Sequence, residues 1–301
     1  MIMKREKTVS IDQLTGFIPK HCFFVGVDSD GCIFDTMEAK QKKCFHPAII
    51  SYWKLHDISK AVRETAEFVN LYSSHRGQNR FTALARTWKL LQQHPEVRKK
   101  HFKLPDISDL FSYIKKNLPL SNEGLGREIE KHKSGQLRDI LEWSTIVNRL
   151  IRRKVRKIKP FNWALKSLVL MQKDSDVIYV SQTPSEALFK EWRENKIYKY
   201  VSLIAGQELG TKADHIALST KGRYTPDHIL MIGDAPGDKK AAKKNNACFY
   251  PINPGKEEAS WKRFFLEAYD LFLQGRYRGH YEKMVVNEFE SLLPAKASWQ
   301  K

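Results

Sequence analysis

Apolar positions along the chain fall into two kinds of run. Short uninterrupted stretches that stop at acidic or small polar residues read as buried strands, and longer stretches with apolar residues three or four apart read as amphipathic helices. The short runs are Phe23-Phe24-Val25-Gly26-Val27, Val177-Ile178-Tyr179-Val180, Tyr200-Val201-Ser202-Leu203-Ile204, His228 to Ile232 and Ala247-Cys248-Phe249-Tyr250. From Asn162 onward, helical patterns alternate with them: 163–171, a helix opened by Pro184 and running to about Asn195, 212–219 and 239–244. Parallel neighbours need a crossover between them, and right-handed crossovers lay their helices against the sheet. The pattern therefore predicts an α/β fold, a doubly wound parallel sheet.

The strand at 23–28 has no neighbour close in sequence. Between Met37 and Lys159 only helical spacing appears, over 46–56, 58–72, 81–93, 107–116, 126–131 and 137–156. An inserted all-helical domain over 37–159 fits, with 1–36 and 160–301 forming a non-contiguous α/β core. The insert leaves the core just after the first acidic run, which predicts a position over the sheet's ligand-binding edge, where a lid belongs. Apolar spacing over 261–273 and 280–293 predicts further helices packed on the core, and 295–301 reads as a frayed tail.

Candidate chemistry sits where two of the strands stop. The first apolar run ends in Asp28-Ser29-Asp30-Gly31, the fourth in Gly233-Asp234-Ala235-Pro236-Gly237-Asp238. Open parallel sheets gather ligands at the C-terminal edge of their strands. Carboxylates brought together there raise one another's pKa unless a cation neutralises them. Oxygen donors without a histidine or cysteine cluster suit Mg2+ rather than zinc. Gly31 and Gly233 read as turn positions that let backbone come close.

Composition narrows the class without choosing a substrate. The chain has 301 residues, of which 42% are apolar, enough for a sizeable core. No stretch approaches the roughly 18 apolar residues of a membrane helix, and Met1 to Lys7 leads into a polar segment rather than a signal-peptide core, so the expected location is cytoplasmic, with no membrane partner. Cys22, Cys32, Cys44 and Cys248 show no C-x-x-C spacing and read as reduced, packed thiols; carboxylates beside Cys32 would suppress its thiolate. The formal charge of +18 attracts polyanions, from phosphorylated metabolites to nucleic acid. Its densest run, Arg149 to Lys159, spaces Leu150, Ile151, Val155 and Ile158 as one amphipathic helix with a solvated cationic face.

Four features in order along the chain resemble the motifs of the haloacid dehalogenase-like (HAD) hydrolase superfamily: Asp28-Ser29-Asp30-Gly31, Ser181 after an apolar strand, Lys212 at a helix start, and Gly233 to Asp238. The resemblance covers about 21–36 and 161–253, a Rossmann-like core, and the insert resembles that superfamily's first-type cap in position only. Asp35-Thr36 resembles the turn by which capped members enter the insert. The resemblance and the chemistry agree on roles. Asp28 would be the nucleophile that forms an aspartyl-phosphate. Asp30 would be general acid and then general base, its backbone carbonyl facing the metal as in the resembling enzymes. Ser181 would hydrogen-bond a phosphoryl oxygen, with Thr183 as the rival hydroxyl and an ordinary turn serine as the plainer reading. Lys212 would neutralise the attacking carboxylate and the phosphoryl group, although lysine is common in a chain with 52 basic residues. Asp234 would ligate Mg2+ and Asp238 orient a ligand or metal-bound water; helix capping is compatible with either. The metal set is thus Asp28, Asp30, Asp234 and Asp238. Gln182 stands where the family often has asparagine, which leaves its contact with phosphate open. In the insert, the polar break Tyr72 to Arg80 offers Arg76 or Arg80 to a carboxylate or phosphate of the substrate, against a plain interhelical loop.

These readings converge on a Mg2+-dependent phosphomonoester hydrolase of a small phosphorylated metabolite. Asp30 favours phosphoryl transfer over carbon–halogen cleavage, which needs no acid there. A phosphomutase or phosphonate hydrolase on the same scaffold stays open. Readings from other classes are a basic nucleic-acid-binding protein that retains a hydrolase scaffold, motivated by the +18 charge, and a catalytically silent interaction module.

Overall fold

The computed structural model describes residues 10–300 except Pro184, so that proline and the polar start of the chain lie outside the described residues, while the helix expected after the proline runs over Ser185–Glu194. The chain forms two compact units, one of Met1–Asp35 with Lys157–Leu292, the other of Thr36–Arg156 with Leu293–Lys301.

The first unit is built on a five-stranded, wholly parallel sheet: β1 (Phe23–Val27), β2 (Ser175–Val180), β3 (Leu203–Ala205), β4 (Ile229–Gly233) and β5 (Cys248–Pro251), in the order β3-β2-β1-β4-β5. The strand that lacked a sequence neighbour is the central one. Val25 sits opposite Val177 on one side and Leu230 on the other. Every residue of β2, β4 and β5 is buried, as the continuous apolar runs require of strands covered on both faces. From β1 the chain steps to β2 and β3, then crosses back to β4 and β5. Right-handed crossovers in opposite directions put their helices on opposite faces. Accordingly, the Asn162–Met171 helix packs with Glu257–Arg263, and Lys212–Thr220 packs with Pro236–Lys244. The order reverses between β1 and β4, which makes their C-terminal ends a topological switch point.

The core of this unit is rich in large rings: Trp192, Trp261, Phe264, Tyr269, Phe272 and Tyr277 are buried with Val25, Val27 and Ile232. Removing one such ring costs about 3–5 kcal/mol. Two tryptophans also brace the loop after β1. The Trp261 indole donates to the Cys32 carbonyl at 2.7 Å, and that of Trp192 to Ser29 Oγ at 3.4 Å. The chain leaves and re-enters the unit at adjacent points, where Phe161 N donates to Ile33 O at 2.9 Å.

The second unit is helical, with Trp88, Trp143, Phe81, Leu84 and Leu125 in its core. Its main helices, Ser59–Asn70, Arg80–Leu91, Ser108–Lys115, Asn122–His132 and Gly135–Lys154, follow the predicted spacing within a few residues. The structure differs from the sequence expectation in four places. The basic run is not one helix: the helix stops at Lys154, Lys157 takes a left-handed φ of 56°, and Ile158 packs into the core of the other unit. Tyr198–Tyr200 is a short 3-10 turn, so β3 begins only at Leu203. The end of the chain is not frayed and belongs with the helical unit rather than the α/β core. Ser74 N donates to Pro294 O at 3.2 Å, Ala297 is buried, and the Trp299 ring lies 4.9 Å from His94 and 6.0 Å from Phe68. A single aromatic anchor has no periodicity, so the pattern of positions did not reveal it. Cys22 is exposed rather than packed, while Cys32, Cys44 and Cys248 are buried, and all four are free thiols. Among the described residues no helix is long and apolar enough to cross a membrane.

Candidate active site

Asp28 follows β1 directly, and its N–H pairs with the Ile232 carbonyl of β4 at 3.0 Å, so the ladder runs to the residue that carries the carboxylate. Asp234 follows β4. Asp238 is the third residue of the Pro236–Lys244 helix, where its carboxylate accepts from Ala235 N at 3.0 Å. The switch point thus brings together Asp28, Asp234 and Asp238, 5%, 0% and 0% exposed, with a carboxylate oxygen of each within 4.8 Å of the others. Capping and site building coincide in Asp238.

Lys212 closes this group. Its Nζ lies 2.9 Å from Asp28 Oδ2 and 2.5 Å from Asp238 Oδ1. The lysine is the first residue of the Lys212–Thr220 helix, whose start is fixed by a reciprocal cap: Thr211 Oγ1 accepts from Asp214 N at 3.2 Å, and Asp214 Oδ2 accepts from Thr211 N at 3.0 Å. A cation in a first helical turn opposes the helix dipole. The two carboxylates supply the compensation. Burial acts to lower the lysine's pKa, but the attraction of Asp238 and Asp28 overrides it and the ammonium is held charged well above its usual range.

Asp28 shows the opposite strain. Burial raises its pKa well above the ordinary carboxylate value, Lys212 pulls it back, and Asp238 and Asp234 push it up again. One lysine for three buried carboxylates leaves excess negative charge in a low-dielectric site. Three hard oxygen donors that share too little positive charge fit a divalent cation of the Mg2+ type, which takes one or two carboxylates and keeps other positions for water and phosphate oxygens. The same field, after burial, raises the Cys32 thiol well above its usual value, which keeps it protonated and rules against a cysteine nucleophile.

Gly233 has a steric reason to be glycine: a Cβ there would lie 2.3 Å from Asp238 Cγ. Gly31, with φ of 82°, turns the chain out of the acidic motif, and its N–H donates to Phe34 O at 2.8 Å. Asp30 is half-buried and its carboxylate lies outside the three-carboxylate group, with Oδ2 accepting from Thr183 Oγ1 at 3.1 Å; the metal contact expected of this residue is through its backbone carbonyl, not through this carboxylate. Thr183, read from sequence only as a rival to Ser181, therefore orients the second aspartate. Nothing in the residue spacing could reveal a contact across that distance in sequence.

Ser181 lies just past β2, 2% exposed, with its N–H on Ala205 O at 2.9 Å and its Oγ accepting from Thr183 N at 3.1 Å. Gln182 is exposed, and its Nε2 donates to Gly210 O at 3.1 Å, which ties the loop after β2 to the turn before Lys212. The two insert arginines make these contacts within the helical unit. Arg76 is buried and donates to Leu71 O at 2.9 Å. Arg80 donates to Asn148 Oδ1 at 2.7 Å and Ser144 Oγ at 3.0 Å and lies over the Phe45 ring.

No protein-family model matches the chain, and no curated protein matches it. Solved structures are similar at low identity. A candidate phosphoglycolate phosphatase from Lactobacillus delbrueckii subsp. bulgaricus is 16% identical with a TM-score of 0.49, over 77% of this chain and 87% of that one. A candidate HAD hydrolase from Bacillus subtilis, solved with magnesium bound, is 13% identical with a TM-score of 0.45, over 78% and 88%. A haloacid dehalogenase-like family hydrolase from Streptococcus pneumoniae is 14% identical with a TM-score of 0.41, over 89% and 98%. Likeness at this level leaves the chemistry to the residues themselves.

Proposed function

We propose that the protein is a Mg2+-dependent phosphomonoester hydrolase of the HAD type, acting on a small phosphorylated metabolite through a phosphoryl group carried on Asp28. The observation that carries this reading is the buried trio Asp28, Asp234 and Asp238 at the switch point, with Lys212 between Asp28 and Asp238.

Asp28 attacks phosphorus, and the bond to the leaving oxygen breaks as that oxygen takes the proton of Asp30. Water then attacks the aspartyl-phosphate while Asp30, ionised by the first step, takes the water's proton; inorganic phosphate leaves and both aspartates return to their starting states. Lys212 stays protonated throughout and pulls the raised pKa of Asp28 back towards the ionised form the attack needs, a pull that a bound cation would reinforce. Ser181 is the hydroxyl beside the transferring oxygens, and Thr183 fixes the rotamer of Asp30. The metal would be held by Asp28 and Asp234, with Asp238 orienting Lys212 and a metal-bound water; when bound it supplies charge neutralisation to the phosphate. Asp30 supports phosphoryl transfer over dehalogenation because an alkoxide leaving group needs a proton and a halide does not.

The test is release of phosphate from a generic aryl phosphate. Wild-type protein is expected to turn it over only with Mg2+ present, and Asp28→Asn is expected to lower the rate by about four orders of magnitude or more, the scale of removing a nucleophile. The same variant is expected to melt at a higher temperature than wild type in chelator, since it removes one of three crowded carboxylates. Equal activity in the two proteins would contradict the assignment.

A further inference from the structure

The formal charge is unevenly spread between the two units. The helical unit, Thr36–Arg156 with Leu293–Lys301, holds 27 of the 52 Lys and Arg residues but only 12 of the 34 Asp and Glu, and so carries +15 against +3 for the α/β unit. Much of this excess is concentrated. On the last turns of the Gly135–Lys154 helix and just beyond it, Arg149, Arg152, Arg153, Lys154 and Arg156 are all exposed, and no acidic residue occurs between Thr145 and Arg156. The acids of the same helix, Asp139 and Glu142, lie nearer its start and accept from Tyr52 Oη.

The Gln41–Phe45 segment packs on this helix through Phe45 and Trp143, whose ring centroids are 6.0 Å apart, and it adds the exposed Lys42 and Lys43. That these cations share one neighbourhood is visible at Cys44: burial raises its thiol, while Lys154, Lys43 and Lys40 act together to lower it. One acidic residue sits nearby, Glu38, paired with Lys42 at 2.6 Å. Among the described residues, Lys43, Arg149, Arg152, Arg153 and Lys154 have no carboxylate within ion-pair distance.

Two plainer accounts fall short. A helix C-terminus carries about half a negative charge, which one or two cations satisfy. Arg149 and Arg153 stand four residues apart on the helix, a spacing at which like charges destabilise it. The cluster thus works against the fold unless it meets negative charge from outside.

We propose that this surface of the helical unit binds the phosphodiester backbone of nucleic acid. Arginine predominates in it, and a guanidinium offers a planar fork matched to phosphate oxygens. A membrane surface is the poorer partner. Among the described residues of the helical unit the exposed large hydrophobic residue is Leu118, which lies on a different element, so nothing on this surface inserts into a bilayer. Among the described residues no exposed aromatic ring accompanies the arginines to stack bases, so recognition runs through phosphates and is independent of sequence.

Fluorescence anisotropy with a labelled mixed-sequence DNA duplex of about 20 base pairs tests this, since four phosphate contacts give a salt slope of about −3.6. Wild-type affinity is expected to fall roughly 100-fold between about 50 and 200 mM salt. The variant Arg149→Gln/Arg152→Gln/Arg153→Gln/Arg156→Gln is expected to bind more weakly at low salt and to lose most of that dependence. The control Lys99→Gln/Lys103→Gln/Lys115→Gln/Lys131→Gln removes the same charge from exposed positions elsewhere on the unit and is expected to retain it. Should the arginine variant fail to fold, Arg149→Gln/Arg153→Gln is read in the same way. Absence of duplex binding, equal losses in the two variants, or binding to phosphatidylserine vesicles in place of the duplex overturns the proposal. Phosphate release from an aryl phosphate is expected to be unchanged in both variants, so this result and that of the hydrolase reading stand or fall separately.

Discussion

At Asp28 the cost of burying a carboxylate and the reactivity expected of it sit in one side chain. Its neighbours are chosen for that conflict: Lys212 favours the charged form, Asp234 and Asp238 oppose it, and Thr183 holds the second aspartate aside. Another buried titratable group, in the helical unit, makes a simpler prediction. His46 is fully buried, neither ring nitrogen has a hydrogen-bond partner among the described residues, and burial, with Arg63 and Lys42 nearby, lowers its pKa to about 4. The unfolded chain, with a value near 6.5, binds more protons between those limits, so stability is lost as pH falls from about 6.5 towards 4. The loss is of order 3 kcal/mol once pH is below about 4. In denaturant melts over this range wild type is expected to lose stability relative to His46→Leu as pH falls, with the variant less sensitive; parallel pH dependence would contradict it. Asp28, Asp234 and the thiol of Cys32 were legible in sequence because each stands at or near an apolar run, and Lys212 through its order and spacing at a helix start. The Thr183 to Asp30 bond was not, because it joins residues 153 positions apart.

Among the elements, β4 and the helix after it show how backbone geometry builds the site. Asp238 can reach both Ala235 N and Lys212 Nζ only because position 233 has no side chain. Gly233→Ala is expected to displace the Asp238 carboxylate, to lower aryl phosphatase activity at least tenfold and to shift the melting temperature downward by several degrees, about 1–3 kcal/mol of overpacking. Unchanged kinetics would mean that Asp238 is dispensable. Strand and helix order were readable from the alternation of apolar runs, but the central place of β1 was not, because its partners begin only at Ser175 and Ile229, far along the chain. Boundaries were less so. The run 200–204 is apolar but for Ser202, yet Tyr198–Tyr200 closes as a 3-10 turn and only three residues pair with β2. The cationic stretch 149–159 has helical spacing, but Lys157 in a left-handed conformation and Ile158 in the α/β core end the helix where the chain changes units.

For the whole molecule, the chain passes between the two units three times, after Asp35, after Arg156 and after Leu292. The last passage was invisible to periodicity because it depends on Trp299 against Phe68 and His94. Trp299→Ala is expected to destabilise the helical unit by about 3 kcal/mol, the low end for a large ring, and hydrogen exchange is expected to speed up in 59–70 and 90–100; exchange unchanged there would mean the tail is not anchored. In the α/β unit, buried carboxylates from two strand ends meet one lysine, and the proposed role of Asp28 is attack on phosphorus. The most direct measurement is peptide mass spectrometry of protein quenched in acid during turnover of an aryl phosphate with Mg2+. One phosphoryl group is expected on the peptide that contains Asp28, absent in Asp28→Asn; a phosphoryl group on any other residue, or turnover with none on Asp28, would contradict the account.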